Sequence, residues 1–268
     1  MKSATPFFTL RCNTLFYNSA KRIFNFVLAL FLFSKSNIAQ TKTTAYSDQY
    51  WLQYYGQLHL NSKWTILGDG GIRMKNGCKE KAATLGRIGL QLNLNKNLST
   101  AIGCAYFSQY INDKISREEW RGWQELFLKH DFSRVFTNHR LRLEERYFHT
   151  LSTRKDNFNF RLRYRFYFTI PINHPTMQAN TVYLIGGDEI FLNFGDQVIY
   201  NYDQNRLIAG AGYKLKDNLL INLTYVYQYA QKNTAFHFEK TDIIWLGMIH
   251  TIKLKKKNAV PNPVQNQK

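Results

Sequence analysis

From Phe158 to Ile170 the chain reads F-N-F-R-L-R-Y-R-F-Y-F-T-I. Phe158, Phe160, Leu162, Tyr164, Phe166, Phe168 and Ile170 share one face of an extended chain, and Asn159, Arg161, Arg163, Arg165, Tyr167 and Thr169 share the other. A strict period of two predicts a β-strand with one apolar and one polar face. In a soluble sandwich the apolar face is core and the charged face meets water. In a transmembrane barrel the apolar face meets lipid and the charged face lines the lumen.

The same alternation recurs along the chain. Gln49–Leu60 puts Tyr50, Leu52, Tyr54, Leu58 and Leu60 on one side, and Asn61-Ser62-Lys63 turns it into Trp64–Met74. Pairing about that turn sets Leu58 opposite Ile66 and Leu52 opposite Ile72, so the apolar faces coincide. Ala82–Leu94 folds about Lys96 onto Leu98–Tyr110, which brings Leu90 opposite Ile102 and Ile88 opposite Cys104. Arg117–Phe132, His139–His149, Phe158–Ile170, Thr181–Phe191, Gln204–Leu215, Leu219–Tyr229 and Asp242–Leu254 complete the series.

These segments number about eleven, each of barrel-crossing length since ~9–11 residues suffice. Tyr50, Trp64, Tyr110, Tyr147 and Tyr229 lie near segment ends, as interfacial aromatic girdles do. The fold expected is an all-β, antiparallel up-and-down transmembrane barrel over residues 40–254. Single-chain bacterial barrels have even strand numbers and both chain ends on the periplasmic side. The expected count is therefore ten or twelve, with Thr41–Ser47 or Pro171–Tyr202 holding the discrepancy.

The first 39 residues have the order of a secretory signal: Lys21-Arg22, an apolar run Ile23–Phe33, then a polar segment ending at Ala39-Gln40. An exported chain with this barrel pattern is expected in a cell outer membrane. The leader holds five of the 36 Lys and Arg and none of the 18 Asp and Glu, so the remainder carries 31 basic residues and a net charge of +13. Export and the lack of a nucleic-acid-binding motif exclude nucleic acid as the partner. Outer-membrane lipid and lipopolysaccharide, and small anionic solutes, are the expected partners; the sequence names no protein partner. Residues 255–268 are expected to form a basic, disordered tail. Cys12 leaves with the leader, and Cys78 and Cys104 are expected to remain free thiols.

Several motifs resemble one family. They are E-W-R-G-W-Q at 119–124, H-R-L-R-L-E-E-R-Y-F at 139–148, R-L-R-Y-R at 161–165, D-Q-N-R at 203–206, A-G-Y at 211–213, and the early W-L-Q-Y-Y-G-Q with the N-S-K-W turn. Together they resemble the family catalogued as domain of unknown function 2490, outer-membrane barrels of Bacteroidetes-like bacteria. The resemblance implies a barrel scaffold and carries no catalytic residues.

The candidate site is a charged set on three neighbouring segments: Arg121 and Glu125; Arg140, Arg142, Glu144 and Arg146; Arg161, Arg163 and Arg165. Folding about Ser133–Asn138 sets Glu125 opposite Arg146, and folding about 150–157 sets Glu144 opposite Arg163 and Arg142 opposite Arg165. Two roles fit a lumen of this composition. Either paired charges lock the barrel shut, or surplus arginines form a narrow anion-preferring path. An enzyme is not expected. No G-x-S-x-G turn is present, Glu118-Glu119 and Glu144-Glu145 point their carboxylates to opposite faces, and no cofactor or metal-ligand spacing occurs. A lipid-modifying enzyme using a rim His or Ser, and a barrel subunit of a larger envelope complex, are the alternatives.

Overall fold

In the computed structural model, residues 42–232 and 234–254 are described. The leader, its cleavage point and the basic tail lie outside them. The described chain is a meander of eleven strands: β1 (Thr43–His59), β2 (Trp64–Lys75), β3 (Glu80–Asn93), β4 (Leu98–Ile111), β5 (Lys114–Phe132), β6 (Val135–Thr150), β7 (Lys155–Pro171), β8 (Thr181–Phe194), β9 (Tyr202–Lys216), β10 (Leu219–Gln231) and β11 (His237–Lys253). Each pairs with its sequence neighbours, and β1 pairs with β11 to close a barrel.

The count is odd, which corrects the expectation of an even number. Every connection reverses the chain, so the eleventh strand runs in the direction of the first and their seam is parallel, from Thr43↔His237 to His59↔Lys253. The barrel is antiparallel everywhere else. Thr43–Ser47 lengthens β1 instead of hiding another strand, and the 171–202 region holds β8 alone. Thr43 and Lys253 consequently sit at opposite rims, not together at one.

Local chemistry fixes the first registers. Asn61 Oδ1 accepts from the backbone N–H groups of Lys63 and Trp64, both at 2.8 Å. Asn95 does the same for Asn97 and Leu98 at 2.8 Å. An Asn side chain that mimics a backbone turn in this way sets a tight connection between strands. Leu58 then faces Ile66, Leu52 faces Ile72, Leu90 faces Ile102 and Ile88 faces Cys104, all as the pattern requires. Asn112 and Asp113, both at positive φ, make the two-residue β4–β5 hairpin in a conformation these short polar side chains tolerate.

Two later registers differ from the sequence expectation. The β5–β6 turn is only Ser133-Arg134, and β6 starts at Val135. Glu125 therefore faces Arg142, not Arg146, and Lys129 faces Asn138. Across β6–β7, Glu144 faces Arg161 and Arg142 faces Arg163. Slips of two or four residues leave every side chain on its own face, so alternation alone cannot detect them.

The outward face is apolar and aromatic. Leu52, Ile88, Ile102, Leu207 and Leu223 are all more than half exposed, and Cys104 on β4 is exposed and free, as is Cys78. The inward face holds two apolar clusters. Leu85, Ala101, Ala105, Phe107 and Trp123 form one, with Leu67 against it. Trp51, Ile208, Val226 and Ile243 form the other, packed by Trp245 and by Tyr167. Since β7 lies opposite β1 in the ring, Tyr167 reaches that second cluster from the far wall. Side chains thus meet across the lumen.

Candidate functional site

Inward side chains of β5, β6 and β7, with Glu189 of β8, form a buried charged set. Glu119 chelates Arg121, with Nε–Oε1 at 2.6 Å and Nη2–Oε2 at 2.9 Å, and accepts from Arg146 Nε at 2.5 Å. Arg142 binds Glu125 through Nε at 2.8 Å and Nη2 at 2.7 Å. Arg163 donates to Glu144 at 2.6 Å and to Glu189 at 2.8 Å, bridging three strands. Arg140 reaches the same Glu189 oxygen at 2.6 Å. Arg161 bonds Asn193 at 3.2 Å and lies 3.1 Å from Asp203.

A second, smaller ionic group sits on the other wall, where Asp69 accepts from Arg87 and from Gln53, each at 2.8 Å. Charge-assisted and bidentate bonds of this kind are the strong ones, and they are what makes burial of so many charges tolerable.

Aromatic rings complete the lining. Arg121 lies 3.7 Å over the Phe107 ring, Arg142 4.4 Å over Trp123, Arg163 4.5 Å over Phe191 and Arg73 4.0 Å over Trp51. Guanidinium planes stack on such faces readily, which lets one cation hold a carboxylate at its edge and a ring at its face. Trp123 needs glycine beneath it. A Cβ at Gly89 or Gly103 would fall 2.4 and 2.3 Å from the indole, so the two glycines open a slot in β3 and β4 for the ring.

All nine charged residues named from the sequence point inward, and all but Arg165 are joined through ion pairs and hydrogen bonds with carboxylates on β5, β6, β8 and β9. Arg163 and Glu144 meet diagonally, since the residue directly across from Glu144 is Arg161. Arg165 makes no ion pair among the described residues and rests 4.3 Å over Tyr167. Sequence reading missed Glu119, Asp69, Arg73, Arg87, Glu189, Asp203 and Arg206. Glu189 shares parity with Tyr183 and Phe191 on β8, and that parity was the available signal. The apolar company disguised it. Glu119 was visible as one of an adjacent acidic pair, but its partners Arg121 and Arg146 needed the true register.

Among the described residues no three His, Cys, Asp or Glu side chains are placed to hold a metal. The rim histidines bond locally: His59 to Thr65, His139 to Tyr164 and His149 to Asp156, each at 2.7 Å.

The space left inside is small. A cavity of about 70 Å³ lies between side chains from every strand except β10. Wide barrels of ~16–18 strands keep aqueous channels, whereas narrow ones fill with side chains.

A closed β-barrel whose interior is filled by a buried arginine–glutamate network is the class of protein defined here, a fold consistent with an outer-membrane protein. The chain belongs to the family described as protein of unknown function (DUF2490), which matches residues 48–239. No curated protein and no solved structure matches the chain.

Proposed function

We propose that this protein is a non-enzymatic outer-membrane barrel whose arginine–glutamate network plugs the lumen, giving it a structural role in the envelope. The observation that carries the reading is a central cavity of about 70 Å³ bordered by rings and charged side chains from ten strands. The exposed apolar exterior supports a lipid surround, because soluble proteins rarely present so much contiguous apolar surface. The secretory pattern of residues 1–39 supports export. Outer-membrane lipid, lipopolysaccharide included, is then the partner of the outward face.

Planar-bilayer recording of the refolded barrel, verified by heat-modifiable gel mobility, tests this. A folded barrel without discrete current steps is the expected result. Discrete steps would overturn the plug. A second reading, a narrow anion-preferring path, draws support from the surplus of inward arginines over carboxylates and would appear as anion-selective steps. Arg163→Glu separates the two. In a plug it sets a third carboxylate beside Glu144 and Glu189 and destabilises the barrel; in a path it reverses ion preference.

A further inference from the structure

The cavity at the centre of the network has an unbalanced lining. Eight arginines border it and a single carboxylate, Glu189, does so. Carboxylates behind the lining satisfy some of them: Asp69 holds Arg87, Glu119 holds Arg121, and Asp203 lies beside Arg161. Glu144 also holds Arg163 at 2.6 Å, and Glu189 is shared among Arg163 at 2.8 Å, Arg140 at 2.6 Å and Arg206 at the limit of 4.0 Å. Arg73 and Arg165 have no carboxylate within reach among the described residues.

The hydrogen-bond inventory points the same way. Four residues bordering the cavity carry a buried nitrogen that makes no hydrogen bond to protein: Arg73 Nε, Arg140 Nε, Arg165 Nε and Trp245 Nε1. All four are N–H donors. Arg140 is only 8 % exposed, and its Nε stands 3.9 Å from the nearest Glu125 oxygen, beyond hydrogen-bond reach. A buried donor left unpaired is costly, and more so when charged. Water could accept from these groups, but water brings no charge to offset the arginines. An anion does both.

The volume selects the kind of anion. Since ~10–15 Å³ of such space holds one water, about five water-sized positions are available. A tetrahedral oxyanion of five heavy atoms fits that room, and a lipid headgroup on its glycerol does not. Guanidinium forks match oxyanion geometry bidentately, whereas they gain little specificity over a spherical halide.

We propose that the lumen holds a free tetrahedral oxyanion of the phosphate or sulfate class, bound by Arg73, Arg140, Arg165 and Trp245 as the counter-charge of the network. The site rests on the closed-lumen reading, because only an enclosed cavity excludes larger anions. The bound ion offsets part of the surplus positive charge, and its loss loosens the wall that β6 and β7 form.

Equilibrium dialysis of the full chain, folded in detergent micelles, against labelled inorganic phosphate tests the site. Phosphate is supplied in one arm after folding and in the other throughout refolding, since side chains from ten strands surround the cavity. Bound phosphate in either arm, displaced by sulfate but not by chloride at matched ionic strength, is the expected result. Arg165→Gln should then lower affinity about tenfold or more. Should that variant not reach the heat-modifiable form, Arg73→Gln carries the same expectation from the opposite wall.

No phosphate in both arms, equal displacement by chloride, or undiminished affinity in the variants would each overturn the proposal. Conductance of the same preparation separates its failure from that of the plug. A silent barrel without phosphate rejects the anion site alone, and a conducting barrel rejects the enclosed site together with the plug.

Discussion

The two walls of this lumen solve one problem in opposite ways. On the β5–β8 wall, inward positions carry Glu119, Arg121, Arg142, Glu144, Arg163 and Glu189, each bonded to at least one opposite charge. On the wall of β9 to β11 and β1, inward positions carry Ile208, Val226, Ile243 and Trp51, an apolar cluster whose charged contacts are the guanidiniums of Arg73 and Arg206 over the Trp51 ring. An apolar wall asks only for volume and shape, and it tolerates substitutions of similar size. An ionic wall asks that each charge find its partner, because an unpaired buried charge costs far more than a missing methyl group. The ionic wall therefore constrains register, and the apolar wall constrains packing. Tyr167, rising from the ionic wall to lie on the apolar cluster, joins the two.

Substitutions on each wall can break that contrast. Arg163→Ala should have the largest effect. It strips one partner from both Glu144 and Glu189, and removing one member of a buried pair costs about 3–5 kcal/mol. Denaturant unfolding followed by gel mobility measures it; a loss near zero would mean that solvent already screens this wall. Ile243→Ala, at a position with no exposure, should cost about 2–5 kcal/mol by leaving a cavity beneath Trp51 and Val226.

Leu223→Arg tests the exterior of the same wall. Leu223 is 57 % exposed near the middle of β10, and an arginine there should cost about 2–4 kcal/mol in a bilayer. Unchanged stability in vesicles would argue against a lipid surround. Ile243→Val should be the mildest, about 0.5–1.5 kcal/mol, because an apolar wall relaxes around one lost methylene. If it proved as damaging as Arg163→Ala, the two walls would not differ in kind.

The comparison also explains which parts of the architecture could be read along the chain. Alternation assigns faces, so Arg140, Arg142, Glu144 and Arg146 share one side of β6 by spacing alone, and Leu141 and Leu143 the other. Where a short Asn-led turn links two strands, as at Asn61 and Asn95, spacing also assigns partners. At Ser133-Arg134 no such signature marks the turn, and an even slip carries no penalty in pattern. Glu125 was consequently matched to Arg146 when the fold gives it Arg142.

By itself the sequence determined the strands, their two faces and which arginines and glutamates share the inward face of β5 to β7, because a period of two is a property of the chain alone. Tertiary structure decided the odd count, the parallel β1–β11 seam and the choice of carboxylate for each arginine. Closure joins residues nearly two hundred positions apart, and a long-range ion pair such as Arg140 with Glu189 forms only after the whole ring has set its register. Neither leaves a local mark in the sequence.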